Sequence, residues 1–227
     1  MNGKTLRSSL LLFLTACIWG LAFVSQSKGM EVMGPFTFNG VRCLLGAAVL
    51  FPPVCFTVYK RKKKRESGCK KGSGISWKTA LTGGMFCGIV FTAASSFQQA
   101  GIAYTTVGKA GFITTLYIIF VPLLGLFLKK KAPGTVYFGA VMAVAGMYLL
   151  CMTERFYLAR GDVMVLVSAV LFAVHILVID YFSPKTEGVL LSFMQLFVCG
   201  VCCTVMAFLF EKPSFYQLQN GLVPVLY

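Results

Sequence analysis

Val107–Leu128 reads VGKAGFITTLYIIFVPLLGLFL and runs straight into Lys129-Lys130-Lys131. The run carries one charge, Lys109, before the three cations stand together. Crossing ~30 Å of hydrocarbon takes roughly 20 apolar residues as helix. A basic cluster against such a run is retained on the cytoplasmic side and orients it. The stretch therefore reads as a membrane span with one end marked. Six more runs qualify: Ser8–Gln26, Phe36–Tyr59, Trp77–Phe97, Gly134–Met152, Asp162–Tyr181 and Val189–Phe210, with an eighth beginning near Leu222. None alternates in polarity, which excludes an outer-membrane barrel.

The composition agrees. Of 227 residues, 57% are hydrophobic and 12% charged, and the mean hydropathy is +0.79. A soluble domain carries about a quarter charged residues. The expected fold class is thus an all-α integral membrane protein, a polytopic helix bundle with no soluble domain.

The net charge of +14 points to lipid rather than nucleic acid once it is mapped. Lys60, Arg61, Lys62, Lys63, Lys64, Arg65, Lys70 and Lys71 share one gap, the long linker 60–76, whose Gly, Ser and Lys content predicts a loop. A nucleic-acid surface would spread its charge over a folded face with interleaved aromatics. With the N-terminus inside, the cytoplasmic segments hold fifteen basic residues and the outer loops four, Lys28, Arg155, Arg160 and Lys212. That bias predicts a multi-pass protein of the cell (inner) membrane with a cytoplasmic N-terminus. Leu14-Thr15-Ala16-Cys17 imitates a lipoprotein cleavage box, but Ile18-Trp19-Gly20-Leu21-Ala22-Phe23-Val24 continues apolar, which a cleaved leader would not.

The chain also matches itself. Thr15-Ala16-Cys17-Ile18-Trp19-Gly20 corresponds in character to Ser168-Ala169-Val170-Leu171-Phe172-Ala173, an offset of 153 residues that also sets Arg42 on Gln195. Five spans lie between the matched elements, and an odd number reverses orientation. The expected organisation is a first five-helix repeat over 1–153 and an incomplete second repeat over 154–227. Seven to eight spans of an expected ten are then present.

Trp19-Gly20 late in the first span, Asn39-Gly40-Val41-Arg42 in the second, and the stretch from Gly108 to Gly125 together resemble the drug/metabolite transporter superfamily, in particular its EamA-type members. The resemblance implies ten helices in two inverted repeats, and alternating access to a central cavity for small metabolites, amino acids or drugs. It implies export more than uptake. Two readings stay open beside a carrier: a non-transporting or degenerate accessory protein, and an integral membrane enzyme. The second is disfavoured because no Ser/His/Asp set, phosphate loop or carboxylate pair is present, so no catalytic residues are expected. No cofactor and no metal are expected either. The expected partners are a small-molecule substrate and the lipid bilayer, with no nucleic acid; a homodimer stays open.

Polar groups inside spans cost free energy and need a role or an escape route. The expected cavity is lined by the first, third, fourth and sixth spans, with Trp19, Arg42, Gln98, Tyr117 and His175 as candidate substrate-binding side chains. Arg42 can snorkel outward or grip a substrate carboxylate with its planar fork. Beside Trp19 it offers a cation and an aromatic face, suited to an amino-acid-like solute. Gln98 and Gln99 also fit an interfacial helix end. His175, the only histidine, can relay protons or bond a neighbouring helix while neutral, the favoured reading. Pro122 is expected to bend the fourth span and free a carbonyl beside the cavity. Cys199-Gly200-Val201-Cys202, with Cys203, reads as small apolar packing rather than a redox or metal pair. Gly84-x-x-x-Gly88 and Gly139-x-x-x-Ala143 are expected to permit close helix crossings, within the bundle ahead of dimerisation.

Overall fold

The computed structural model describes residues 3–66, 77–129, 133–151 and 159–226. These form α1 (Gly3–Met30), α2 (Pro35–Glu66), α3 (Trp77–Ile102), α4 (Val107–Thr115), α5 (Tyr117–Phe127), α6 (Gly134–Cys151), α7 (Arg160–Phe182), α8 (Gly188–Phe210), α9 (Phe215–Asn220) and α10 (Leu222–Leu226). No strand occurs among the described residues. Among the described residues, six spans are long and apolar enough to cross a membrane: α1, α2, α3, α4 with α5, α7 and α8. The protein is a polytopic membrane helix bundle. The fifth expected span forms α6, whose described apolar stretch Gly134–Gly146 is shorter; Met152 lies outside the described residues.

Several boundaries differ from the sequence reading, each for a local reason. The linker was expected to leave the helix at residue 60, yet α2 continues to Glu66. Lys, Arg and Glu are good helix formers, and extending a helix is far easier than starting one. Residues 67–76 of the linker lie outside the described residues. The fourth span is not continuous: Leu116 separates α4 from α5. There the Leu116 N–H donates to Ile113 O at 3.1 Å and the Ile119 N–H to Leu116 O at 2.9 Å, a tight three-residue pattern. The Thr115 hydroxyl donates back to Gly111 O at 2.7 Å, a bond that bends helices. The interruption thus falls six residues before Pro122, which sits buried inside α5.

Four helices make the core. On α2 and α8 the touching pairs run Gly40 with Thr204, Leu44 with Gly200 and Phe51 with Phe193, so the two are antiparallel. On α3 and α8 they run Gly84 with Met194 and Gly88 with Val198, so these two are parallel. Gly83 meets Phe182 and Gly101 meets Val165, which sets α7 antiparallel to α3. The order across the core is therefore α2, α8, α3, α7. Glycines carry the crossings because, without a hydrophobic drive between helices in lipid, close backbone approach supplies the packing. A Cβ on Gly161 would sit 2.6 Å from Gly101 O and 2.7 Å from the Tyr104 carbonyl carbon. Gly84 and Gly88 pack as their spacing suggested, whereas Gly139 has nothing within 4 Å of an added Cβ. Its partner position Ala143 is exposed, and Ala140 is buried.

One end of the core is tied by two carboxylates. The chain turns left-handed at Lys212, φ 49°, closing α8 and placing Glu211 over the start of α2. Glu211 accepts from the Phe36 N–H (2.8 Å), the Thr37 N–H (2.8 Å) and the Thr37 hydroxyl (2.6 Å). A helix start leaves N–H groups unsatisfied and favours negative charge, so one side chain caps α2 from α8. Asp162, buried near the start of α7, accepts from the Ala159 N–H at 2.9 Å and from the Thr105 hydroxyl. That second tie joins the loop after α3 to α7.

Candidate functional site

Polar side chains collect on the inner faces of α2, α3, α7 and α8. Small neighbours let them turn inward: Gly40 beside Asn39, Ala94 and Ser95 below Gln98, Ala173 before His175. His175 Nε2 lies 3.1 Å from Gln195 Oε1, with Nε2–H donating to the amide oxygen. That bond joins α7 to α8 directly, although α3 stands between them. The imidazole also lies 5.2 Å from the Phe91 ring on α3, and Phe91 meets Phe172 at 6.2 Å. Nearer the carboxylate-tied end, Gln98 Nε2 donates to the Thr114 hydroxyl at 3.1 Å, joining α3 to α4. Gln99 Nε2 donates to Gln26 O at 3.2 Å, joining α3 to α1.

Arg42 is half-buried on α2, and its guanidinium carbon stands 6.0 Å from the Phe38 ring centroid. Asn39, one turn earlier, is 6% exposed, and its Nδ2 is buried without a hydrogen-bond partner. Tyr117 opens α5 and is half-buried. Trp19 is 58% exposed, on a stretch of α1 that is exposed from Thr5 to Leu21. Because α1 continues to Met30, four residues past the expected end, Trp19 lies about 16 Å from its helix end and Arg42 about 10 Å from the start of α2. The two are at different depths. Of the five sequence candidates, Gln98 and His175 therefore stand in interhelix hydrogen bonds, Arg42 and Tyr117 are partly enclosed, and Trp19 faces outward.

The sequence reading passed over Asn39 as a site residue and gave Gln195 only a place in the repeat. Both had a signal. Each is an amide inside an apolar run, where an uncharged polar group also needs a partner.

The cysteines meet differently from their spacing. Cys43 Sγ lies 3.5 Å from Cys199 Sγ, and Cys199 Sγ lies 3.9 Å from Cys203 Sγ, with Ser95 and Ser96 hydroxyls 3.8 and 3.9 Å from Cys199 and Cys203. The C-x-x-C partner Cys202 is only half-buried. Cys43, Cys199 and Cys203 form one core cluster with Phe91, Leu196 and Met206 around them. No group of three or more His, Cys, Asp or Glu able to hold a metal occurs among the described residues.

The described helices, with glycine-packed crossings and buried amides and an imidazole between them, define a multi-pass membrane helix bundle. Within that class, the chain belongs to the EamA-like transporter family, whose profile matches residues 6–152. Two relatives from Archaeoglobus fulgidus, each named an uncharacterized transporter, are 30% identical to it. One aligns over 195 residues, 86% of this chain and 56% of its own length; the other over 184 residues, 77% and 57%. The chain thus spans little more than half the length of these curated relatives. No solved structure matches it.

Proposed function

We propose that the protein is a secondary carrier that moves a small organic solute by alternating access, as an exporter, across the cell's inner membrane. The observation that carries this reading is membership of the EamA-like transporter family, by residues 6–152. The inward polar groups support it. A span that served only as an anchor would gain nothing from the unpartnered Asn39 Nδ2, since buried polar groups lower stability unless matched. The organisation as two inverted repeats divided near residue 153 draws support from the family match, which ends at 152. In this reading one repeat rocks against the other, and the interruption at Leu116 gives the fourth span a point of bending beside Thr114 and Tyr117.

The basic bias puts the N-terminus in the cytoplasm, so the end tied by Glu211 and Asp162 faces outward. Reporter fusions after Ser67 and after Tyr157 are expected to read cytoplasm and exterior; the reverse pattern overturns the orientation. For transport, the purified full chain in liposomes is offered a panel of amino acids, organic acids and aromatic metabolites under a proton or sodium gradient. Gradient-dependent flux of at least one solute is expected. Absence of flux across the panel, with protein correctly inserted, contradicts the carrier reading.

A further inference from the structure

We propose that Asn39 and Arg42 form a binding site for the carboxylate of a small organic acid or amino acid, an assignment that rests on the carrier reading for its role and names that carrier's substrate class. Residues three apart share a helix face, so the two groups are neighbours on α2. Both are short of partners. Asn39 Nδ2 is buried with no hydrogen bond, and an unmade buried donor costs about 1–3 kcal/mol. Arg42 has the Phe38 ring beside it, and no described carboxylate lies within ion-pair distance of it. Glu211, at the start of the same helix, is taken by the Phe36 and Thr37 N–H groups and the Thr37 hydroxyl.

The chemistry of the pair selects its ligand. A guanidinium offers only donors, in a planar fork, and the free Nδ2 adds a third direction of donation. The missing partner must therefore bring acceptors and, in a poorly solvated place, one compensating negative charge. A carboxylate is planar, carries one charge and presents two oxygens to the fork. A phosphate dianion would leave a charge uncompensated. The pair stands roughly 6–10 Å below the start of α2, at the end where α1 also touches α2 through Gly29 and Phe38, and α3 through Gln26 and Gln99. A lipid phosphodiester is the competing monoanion, and it would reach Arg42 only by the side chain stretching to the surface.

The test uses the purified full chain in neutral detergent and follows its thermal midpoint against benzoate and benzamide, butyrate and butyramide, and L-leucine and L-leucinamide. Inorganic phosphate, sulfate and phosphatidylglycerol serve as other anions. At least one carboxylate is expected to raise the midpoint while its amide does not. Arg42→Lys, which keeps the charge and loses the fork, and Asn39→Asp, which supplies an internal anion, are each expected to weaken that carboxylate at least tenfold. Where Arg42→Lys does not fold, Asn39→Asp alone decides. The proposal is overturned if no carboxylate acts, if acids and amides act alike, if phosphate, sulfate or phosphatidylglycerol act in place of the carboxylates, or if the variants bind as the parent does. Flux in liposomes separates this from the carrier reading. Solute flux indifferent to both variants removes the site and leaves a carrier. Carboxylate binding that the variants abolish, without any flux, leaves the site and removes the carrier.

Discussion

Gly161 on α7 touches the backbone of α3, whereas Gly20 on α1 has open space around it. The two helices they represent are both membrane spans, and α1 is the more apolar of α1 and α3, yet α3 is buried at the centre of the core while most of α1 is exposed. Apolarity decides whether a helix enters the membrane. It does not decide which helices lie inside the bundle, because lipid tails are as apolar as leucine. What distinguishes α3 is that its glycines are packed on two faces, Gly84 and Gly88 toward α8 and Gly83 and Gly101 toward α7, whereas of the two glycines within the α1 span only Gly29 meets a neighbouring helix.

The comparison is broken most strongly by making the same change in both regions. Gly161→Ala sets a methyl group against two backbone carbonyls, which cannot rotate away, and is expected to cost about 1–3 kcal/mol. The check is the unfolding midpoint in detergent. A midpoint equal to that of the parent would mean that α3 and α7 do not meet at this glycine. Glu211→Gln comes next. It keeps the shape and removes the charge that caps α2 from α8, at an expected cost of about 1–2 kcal/mol, read in the same assay and accompanied by faster amide exchange at Phe36 and Thr37. Unchanged exchange there would disconnect Glu211 from α2.

His175 and Gln195 sharpen the contrast within the core itself. Membrane hydrogen bonds between side chains contribute about 0.6 kcal/mol on average, so a double-mutant cycle of His175→Leu and Gln195→Leu is expected to return a coupling of about that size. Strictly additive losses would show that the two side chains do not bond. The smallest effect belongs to Gly20→Ala. With open space at the site and a better helix former, it is expected to stabilise by about 0.5 kcal/mol or less. A loss comparable to that of Gly161→Ala would put a packed neighbour against α1.

Much of this architecture was legible in the sequence, because hydropathy over twenty residues reports a thermodynamic preference that no tertiary contact overrides. The spans and their number, to within the short α6, followed from it, while the family resemblance rested on Trp19-Gly20, Asn39-Gly40-Val41-Arg42 and the stretch from Gly108 to Gly125. Helix partners were less legible. Gly84-x-x-x-Gly88 and Gly139-x-x-x-Ala143 look alike as strings, but only the first faces another helix closely, since a motif does not state which face is turned inward. The break at Leu116 was hidden for a similar reason: Pro122 drew the expectation, while the Thr115 hydroxyl bonds back to Gly111. Among site residues, the partner groups His175 and Gln195 were each visible as isolated polar groups, and only the fold joined them. Asn39 stood in plain view inside Asn39-Gly40-Val41-Arg42, but its missing partner is a property of packing and has no sequence signature.

The crossing of α2 with α8 is the contact on which the core and the inward placement of Asn39, Arg42 and Gln195 depend, and Cys43 and Cys199 report on it directly. Their sulfurs are 3.5 Å apart, and a disulfide needs about 2.05 Å, within reach of side-chain rotation. A variant that keeps only these two cysteines and carries a protease site after Ser67 is oxidised in membranes with copper phenanthroline or bridged with a short bis-methanethiosulfonate, then cut. The two fragments are expected to stay joined without reductant and to separate with it. Fragments that separate under both reagents, with the uncut protein folded and inserted, would contradict the α2–α8 crossing and the core built on it.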